Sequence, residues 1–342
     1  MTKLFTPPPT LVTRWDLDKT YLRSEFHTAR DLLRSAFERP DQKRAVPGAA
    51  RVLRELGRPG VRVHILSGSP EQMKRPLVER LEMDGVRFDE LTLKPNLKNL
   101  LRFRFGALKD QLGYKLPALL EARMHERHRL GITGCPEVLV GDDSEADAFV
   151  YSLYADVCTG QLQGDQLELI LEAGEVHADA AERAIQASRA IDTWRADPES
   201  TPFRILIHLD QQTPPSRFGQ HGDRLVPFYN YAQAALVLLE DGHLPALAVY
   251  RVALELCEQF RFDLDALSRS YVDLYRRGHL GHAALEKLHL DRPRAPVELS
   301  PWSERIQEDL ARLGPSKSPR LPSAADYITL ARQHRGGRNR RR

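Results

Sequence analysis

The chain has 342 residues, with 50 Lys and Arg against 47 Asp and Glu, and 42% of its positions are hydrophobic. This balance is typical of a globular protein of about two domains and excludes a disordered or fibrous chain. No apolar run approaches the roughly 18 residues of a membrane span, and the first residues lack a signal-peptide core. We therefore expect a soluble, cytoplasmic protein without a transmembrane segment.

The first half of the chain alternates short apolar runs with segments of helical periodicity. The apolar runs predict strands over residues 11–17, 61–66, 90–93 and 138–140, and the periodic segments predict helices over 25–38, 47–56 and 70–81. This alternation is typical of βαβ units. Residues 1–160 are therefore predicted to form a doubly wound α/β domain with a mainly parallel sheet.

The second half is less regular. It predicts a strand pair at 167–171 and 203–209 with a helix at 178–194 between them, and three amphipathic helices after residue 228. Residues 161–290 are therefore predicted to form a mostly α-helical accessory domain. Six prolines between residues 293 and 322 predict an extended linker within the last segment, 291–342.

That last segment ends in a basic tail. Its six arginines account for more than the net charge of +3 and leave the rest of the chain near −3: they are Arg332, Arg335, Arg338, Arg340, Arg341 and Arg342. Such a tail can bind nucleic acid or an anionic membrane surface by contacting phosphates. It is equally typical of a solvated, disordered terminus, and both interpretations remain open.

Two carboxylates, Asp16 and Asp18, end the first predicted strand in the string Asp-Leu-Asp-Lys-Thr of residues 16–20. Residues i and i+2 of a strand point to one side, so both carboxylates are expected beyond the carboxyl edge of the sheet. Open α/β sheets bind their ligands at that edge. The same string is also compatible with an acidic helix cap.

Three further elements follow in a consistent order. Ser67 and Gly68 end the second strand and offer a hydroxyl and backbone N–H groups to a phosphate. Lys115 opens a helix predicted over 115–123, and an acidic cluster at 142–147 follows the strand at 138–140. Each element alone is also explained as a turn, a solvated helix charge or a helix start.

In this order the motifs resemble those of the haloacid dehalogenase (HAD) superfamily, whose fold is a Rossmann-like α/β sheet. The strings Ser67-x-Ser69-Pro70 and Gly141-Asp142-x-x-Glu145-x-Asp147-x-x-x-Tyr151 are similar to those of the actin-patch type of phosphatidate phosphatase. The resemblance spans roughly residues 10–155. Lys19 departs from it, because that family more often has a third acid there. Lys19 is expected to project away from Asp16 and Asp18.

The resemblance implies a role for each motif residue. Asp16 would be the nucleophile that forms an aspartyl-phosphate, and Asp18 the general acid and then the base. A Mg²⁺ ion would be held by Asp16, the backbone carbonyl of Asp18 and Asp142, with Asp147 or Glu145 in support. The phosphoryl oxygens would be bound by Thr20, Ser67, Gly68 and Lys115. Lys94 and Lys109 are the alternatives to Lys115.

The function implied is hydrolysis of phosphomonoesters with magnesium as cofactor, with phosphatidate or another lipid phosphate as the substrate that the family suggests. The basic tail suggests a nucleic-acid end phosphatase as an alternative. A non-catalytic binding module on the same fold is a third possibility. The gaps 20–67 and 67–115 are too short for a large inserted cap, which predicts an open site suited to a large or surface-bound substrate.

Overall fold

A computed structural model describes residues 9–22, 45–94, 108–132, 134–144, 146–162, 164–193, 202–313 and 325–339. Six parallel strands of these ranges form one sheet. They are β1 (Leu11–Asp16), β2 (Val61–Pro70), β3 (Glu90–Lys94), β4 (Glu137–Asp142), β5 (Phe203–His208) and β6 (Leu225–Phe228). The parallel sheet confirms the predicted α/β class.

The strands lie in the order β3-β2-β1-β4-β5-β6. The chain moves outward from β1 to β3 and then crosses back to the other side of β1, so the order reverses between β1 and β4. Such a reversal opens a crevice at the carboxyl ends of the two strands, where doubly wound sheets bind ligands. Trp15 is in register with Val140, so β1 and β4 end side by side at this crevice.

Twelve α-helices accompany the sheet within the described ranges. They are α1 (Ala49–Leu56), α2 (Lys74–Met83), α3 (Leu108–Leu130), α4 (Asp147–Thr159), α5 (Gly164–Ala173), α6 (Ala178–Asp192), α7 (Tyr231–Glu240), α8 (Ala246–Phe260), α9 (Leu264–Arg276), α10 (Ala283–Asp291), α11 (Trp302–Ala311) and α12 (Tyr327–Asn339). None of them combines the length and hydropathy needed to cross a bilayer.

The helices cover both faces of the sheet. Because side chains alternate along a strand, Trp15 and Val140 face one hydrophobic cluster, which contains α1, α2 and α7–α11. Leu66 and Leu139 face a second cluster, which contains α3–α6 and α12. The result is a three-layer arrangement in which the carboxyl ends of β1 and β4 lie between the two helical layers.

The predicted strand at 167–171 is wrong, because this segment lies in α5. Leu167, Ile170 and Leu171 are buried, a spacing of three and four that fits one face of a helix. A short apolar run is ambiguous between strand and helix, and here packing onto the second cluster decides. The strand β6 was not predicted.

The predicted boundary at residue 160 divides the sheet, since β5 and β6 continue it beyond β4. The helices α7–α11 share their hydrophobic cluster with α1 and with Trp15 of β1. The segment after residue 228 is helical, as expected, but it packs directly on the sheet. Its helices therefore form one of the two layers that enclose the crevice.

The expectation of an extended linker after residue 291 is also wrong for residues 292–313, whereas Pro315, Pro319 and Pro322 lie outside the described residues. Two 3₁₀ turns, Arg292–Arg294 and Val297–Leu299, lead into α11, whose Trp302 is fully buried. Proline is compatible with the first turn of a helix, so the prolines here mark helix starts. The predicted basic tail begins inside α12, whose first residues Tyr327, Leu330 and Ala331 are buried.

The helix α12 is attached to α4. The Tyr327 hydroxyl donates a hydrogen bond to Asp156, which also pairs with Arg224. The ring of Phe149 lies 5.4 Å from that of Tyr327 and 6.2 Å from that of His334. The helix predicted at 25–38 and much of the gaps judged too short for a cap, residues 23–44 and 95–107, lie outside the described residues.

Candidate functional site

Three buried carboxylates meet at the crevice. Asp16, Asp142 and Asp147 each place one oxygen atom within 4.8 Å of the others, and their exposed fractions are 1%, 0% and 0%. The Lys115 ammonium, itself fully buried, lies 2.8 Å from Asp16 Oδ1 and 2.5 Å from Asp147 Oδ1. With Lys115, this carboxylate cluster carries a formal charge of −2.

The ends of two strands and the start of one helix build the carboxylate cluster. Asp16 is the last residue of β1, Asp142 the last of β4, and Asp147 the first of α4. The Asp142 backbone N–H donates to Asp147 Oδ2 over 3.2 Å. At Gly141 a Cβ atom would lie only 2.3 Å from that oxygen, so a residue without a side chain is required there.

The remaining two acidic residues of the segment 142–147 are Asp143 and Glu145. Asp143 accepts hydrogen bonds from the backbone N–H groups of Gln211 (2.8 Å) and Thr213 (2.9 Å), so it orders the loop after β5. Glu145 lies outside the described residues. Of the described members of this acidic cluster, Asp142 and Asp147 lie at the crevice.

Lys115 does not open its helix. The helix α3 spans Leu108–Leu130, which places Lys115 about two turns from the first described residue. Lys109 lies six residues earlier in the same helix, a separation that puts the two lysines on different faces. The structure places Lys115 at the carboxylate cluster, but the prediction that it opens a helix is wrong.

Asp18 reaches the site by a different route from the one predicted. The strand β1 ends at Asp16, so Asp18 lies in the turn that follows, and strand alternation does not place it. Its Oδ2 atom accepts hydrogen bonds from Ser67 Oγ (3.1 Å) and Ser69 Oγ (3.4 Å). The backbone N–H of Ser69 donates to Ser67 Oγ over 3.0 Å, which orients this hydroxyl toward Asp18.

A tight turn positions Asp18. Lys19 has a φ of 58°, in the left-handed region that few residues with a side chain adopt, and its N–H donates to the Leu22 carbonyl over 2.8 Å. His208 Nδ1 contacts the Lys19 carbonyl at 3.3 Å. The sequence offered one signal for His208, its position at the end of a predicted strand.

Thr20 is completely buried in this turn. Its carbonyl accepts a 2.6 Å hydrogen bond from the Tyr231 hydroxyl of α7, and its own hydroxyl finds no hydrogen-bond partner among the described residues. Tyr231 is another residue that motif reasoning missed. Because Tyr231 belongs to the C-terminal helices, these helices support the turn that carries Asp18.

Gly68 and Tyr114 form the side of the site next to β3. The Tyr114 hydroxyl donates to the Ser67 carbonyl over 2.8 Å, and burial raises the pKa of Tyr114. The Lys94 ammonium lies 4.9 Å from the centre of the Tyr114 ring. A Cβ built on Gly68 would meet none of the described atoms within 4 Å.

A second set of buried charged side chains lies below Asp16, toward the start of β1. No motif in the sequence indicated this set. Arg14, two residues before Asp16, pairs with Glu126 and with Glu137, each at 2.6 Å. His64 Nδ1 lies 3.1 Å from Arg14. Burial, together with the Arg14 charge, lowers the pKa of His64 to about 3. Arg14 thus anchors the sheet beneath the site.

Searches of protein-family models, curated proteins and solved structures gave no match to this chain. Function is therefore inferred from the site itself.

Proposed function

We propose that this protein is a magnesium-dependent phosphomonoester hydrolase of the HAD type that acts through an aspartyl-phosphate. The observation that carries the proposal is the carboxylate cluster of Asp16, Asp142 and Asp147, buried at the strand-order reversal with Lys115 beside it. Ionisable side chains that are buried close to one another in a crevice at the edge of a sheet are typical of catalytic sites.

The carboxylate cluster fits a divalent cation. Three carboxylates and one ammonium leave a formal charge of −2 in a buried place, and burial of such charge is costly without compensation. Mg²⁺ is a hard ion that prefers carboxylate and carbonyl oxygen atoms. Asp16, Asp142, Asp147 and the backbone carbonyl of Asp18 would hold it. When bound, the ion would neutralise phosphate charge and polarise the phosphoryl group.

Asp16 would be the nucleophile. An oxygen of its carboxylate attacks phosphorus, the bond between phosphorus and the ester oxygen breaks, and an aspartyl-phosphate forms. Lys115 holds Asp16 and Asp147 in place by its two contacts and offers an ammonium to the phosphoryl oxygens. Splitting hydrolysis into two displacements replaces one difficult step by two easier ones.

Asp18 would move the protons. In its protonated form it gives a proton to the departing alkoxide, and as a carboxylate it then takes a proton from the water that attacks the aspartyl-phosphate. That second attack breaks the bond between phosphorus and Asp16 and releases phosphate. The hydrogen bonds from Ser67 and Ser69 hold Asp18 as an acceptor, the form needed for the second step.

The phosphoryl oxygens would be bound by the backbone at Gly68, by Lys115 and by Ser67, whose single hydroxyl proton would turn from Asp18 to the phosphate when substrate is bound, with Thr20 behind them. The substrate class implied by the resemblance is phosphatidate or another lipid phosphate. A nucleic-acid end is the alternative, supported by the row of arginines that begins at Arg332 in α12.

The first experiment measures hydrolysis of an aryl phosphate with Mg²⁺ and with EDTA. We expect turnover only with the metal, and a loss of at least about a thousandfold in Asp16→Asn, because the nucleophile is removed. Asp165→Asn changes an exposed acid of the same type and should keep full activity.

Equal activity of the wild type and Asp16→Asn would overturn the assignment of the nucleophile. A folded protein that binds Mg²⁺ and hydrolyses no member of a broad phosphomonoester panel would favour a binding module instead.

A further inference from the structure

A second cation lies near the carboxylate cluster on the same face of the sheet. Lys94 is the last residue of β3 and follows Thr92 by two positions, so the two side chains point to one face. Thr92 Oγ1 contacts His64 Nε2 at 2.8 Å, and His64 contacts Arg14 of β1. Arg14 and Asp16 share a face in turn, which places Lys94 and Asp16 on the same side.

The position of Lys94 is defined by its neighbours. Its ammonium lies over the Tyr114 ring, and the Tyr114 hydroxyl is bonded to the Ser67 carbonyl. Tyr114 precedes Lys115, so one turn of α3 contacts both the carboxylate cluster and Lys94. Lys94 is 9% exposed, which keeps it at the margin of the site and not in bulk solvent.

Strand geometry gives the separation. Asp16 is in register with Leu66, and Leu66 with Thr92, so Thr92 lies two strand spacings, about 10 Å, from Asp16. Lys94 follows Thr92 by two residues along β3, so its backbone lies about 12 Å from that of Asp16. The space between them is bordered by Ser67 and by Gly68, where a built Cβ meets none of the described atoms. This is the side on which Asp18 would meet the leaving group.

We propose that Lys94 binds a second anionic group of the substrate, so that the preferred substrate is a phosphomonoester whose leaving group carries another phosphate or a similar anion. This inference rests on the proposed function. A phosphoryl group at Asp16 and Lys115 would direct its leaving group past Asp18 and Gly68 toward Lys94. Nucleoside bisphosphates and the ends of polynucleotides have this chemistry, whereas phosphatidate has a single phosphate with neutral ester groups.

The test compares a nucleoside 3′,5′-bisphosphate with the matching 3′- and 5′-monophosphates. We expect the wild type to favour the bisphosphate through a lower KM. In Lys94→Met the ratio of kcat/KM between bisphosphate and monophosphate should fall by about 10- to 100-fold, the loss expected for a hydrogen-bonded charge. Lys94→Arg should restore much of this preference.

Lys109→Met is the matched control, since it removes a lysine on another face of the same region and should leave the ratio unchanged. A phosphorylated oligonucleotide and phosphatidate in vesicles form the remaining arms. Preference for the oligonucleotide over the small bisphosphate would identify a polynucleotide end as the source of the second anion. Preference for phosphatidate would overturn the proposal.

Equal handling of bisphosphate and monophosphate by the wild type would also overturn it, as would an equal loss on both substrates in Lys94→Met. If no substrate is hydrolysed and Asp16→Asn behaves like the wild type, the proposed function fails by itself. Calorimetric binding of the bisphosphate then decides the role of Lys94: weaker binding to Lys94→Met supports it, and identical binding overturns it.

Discussion

Two groups of buried charged side chains lie one above the other along β1, and both contain three residues with the spacing of metal ligands. One is the carboxylate cluster at the carboxyl ends of β1 and β4. The other, which we call the arginine network, lies deeper and comprises Arg14, Arg62, Arg123, Glu90, Glu126, Glu137 and His64.

The two groups differ in charge balance. The arginine network contains three guanidiniums and three carboxylates, and each of its carboxylates is paired with at least one arginine. Glu126, for example, contacts both Arg14 (2.6 Å) and Arg62 (3.1 Å). The Arg14 charge and hydrogen bond hold the pKa of Glu126 below its usual range, although burial acts in the opposite direction.

The carboxylate cluster has three carboxylates and one lysine, so its charge is not balanced by its own members. Buried charges are tolerated when they are paired with opposite charges. An excess of buried charges of one sign lowers the free energy of unfolding. The comparison teaches that the ratio of positive to negative side chains distinguishes a structural group of buried charges from a candidate binding site. The balanced network joins the strands and helices beneath the site, whereas the net charge of the carboxylate cluster is the feature on which the proposed metal and phosphate binding depends.

The largest effect is expected from breaking the balanced network. Arg14→Met leaves Glu126 and Glu137 without their buried partner and should lower the free energy of unfolding by about 3–5 kcal/mol, measured by urea denaturation. Arg75→Met is the control, because its pair with Glu79 is exposed and screened by solvent, so its loss should change stability little. Similar losses in the two variants would contradict a structural role for the network.

The opposite sign is expected at the carboxylate cluster. Asp142→Asn removes one of three like charges, so without divalent cations its free energy of unfolding should not fall below that of the wild type. Mg²⁺ at a hundred times its Kd should stabilise the wild type by about 2.7 kcal/mol and the variant far less. Thermal unfolding with Mg²⁺ and with EDTA measures both quantities, and Asp165→Asn should respond like the wild type.

A variant Asp142→Asn that unfolds more easily than the wild type in EDTA would show that this carboxylate has a mainly structural role. An undiminished response of the variant to Mg²⁺ would place the metal elsewhere.

A smaller effect should appear with pH. Burial and nearby Arg14 lower the pKa of His64 to about 3, and burial lowers that of His221 to about 4. The unfolded chain takes up these protons near pH 6.5, while the folded protein does not. Stability is therefore complete above about pH 6.5 and is lost as the pH falls toward 4.

This dependence is measured by urea denaturation between pH 7.5 and 5. His64→Gln should show a shallower fall than the wild type, because one buried neutral histidine has been removed. His128→Gln changes an exposed histidine and should follow the wild type. Identical slopes for all three proteins would mean that His64 does not contribute to acid sensitivity.

Much of this arrangement follows from the sequence. Apolar runs near residues 11, 61, 90 and 138 are strands, since buried parallel strands consist largely of apolar residues. The carboxyl ends of parallel strands lie on one edge, so Asp16, Ser67 and Asp142 were predicted together, and the structure brings them to that edge. These features depend on local chain direction and on residue spacing alone.

Other features required the tertiary structure. Lys115 meets Asp16 across 99 residues of chain, and no local pattern distinguishes it from Lys94 or Lys109. The arginine network joins elements as distant as β1 and the end of α3, so Arg14 resembled an ordinary strand residue in the sequence. Pairings of this kind depend on how helices pack on the sheet.

The C-terminal half shows the same limit. The helices α6 to α9 were predicted from periodicity, whereas α5 and α10 to α12 were not. The contact of α7 with the turn at Thr20 through Tyr231 was not predicted either. Periodicity identifies which face of a helix is apolar, but it does not identify the surface that this face will cover. The sequence by itself determined β1 to β5, the parallel direction of β1 to β4 and the chemical groups at their ends. Packing between distant segments determined which charges are balanced, and with it the location of the candidate site.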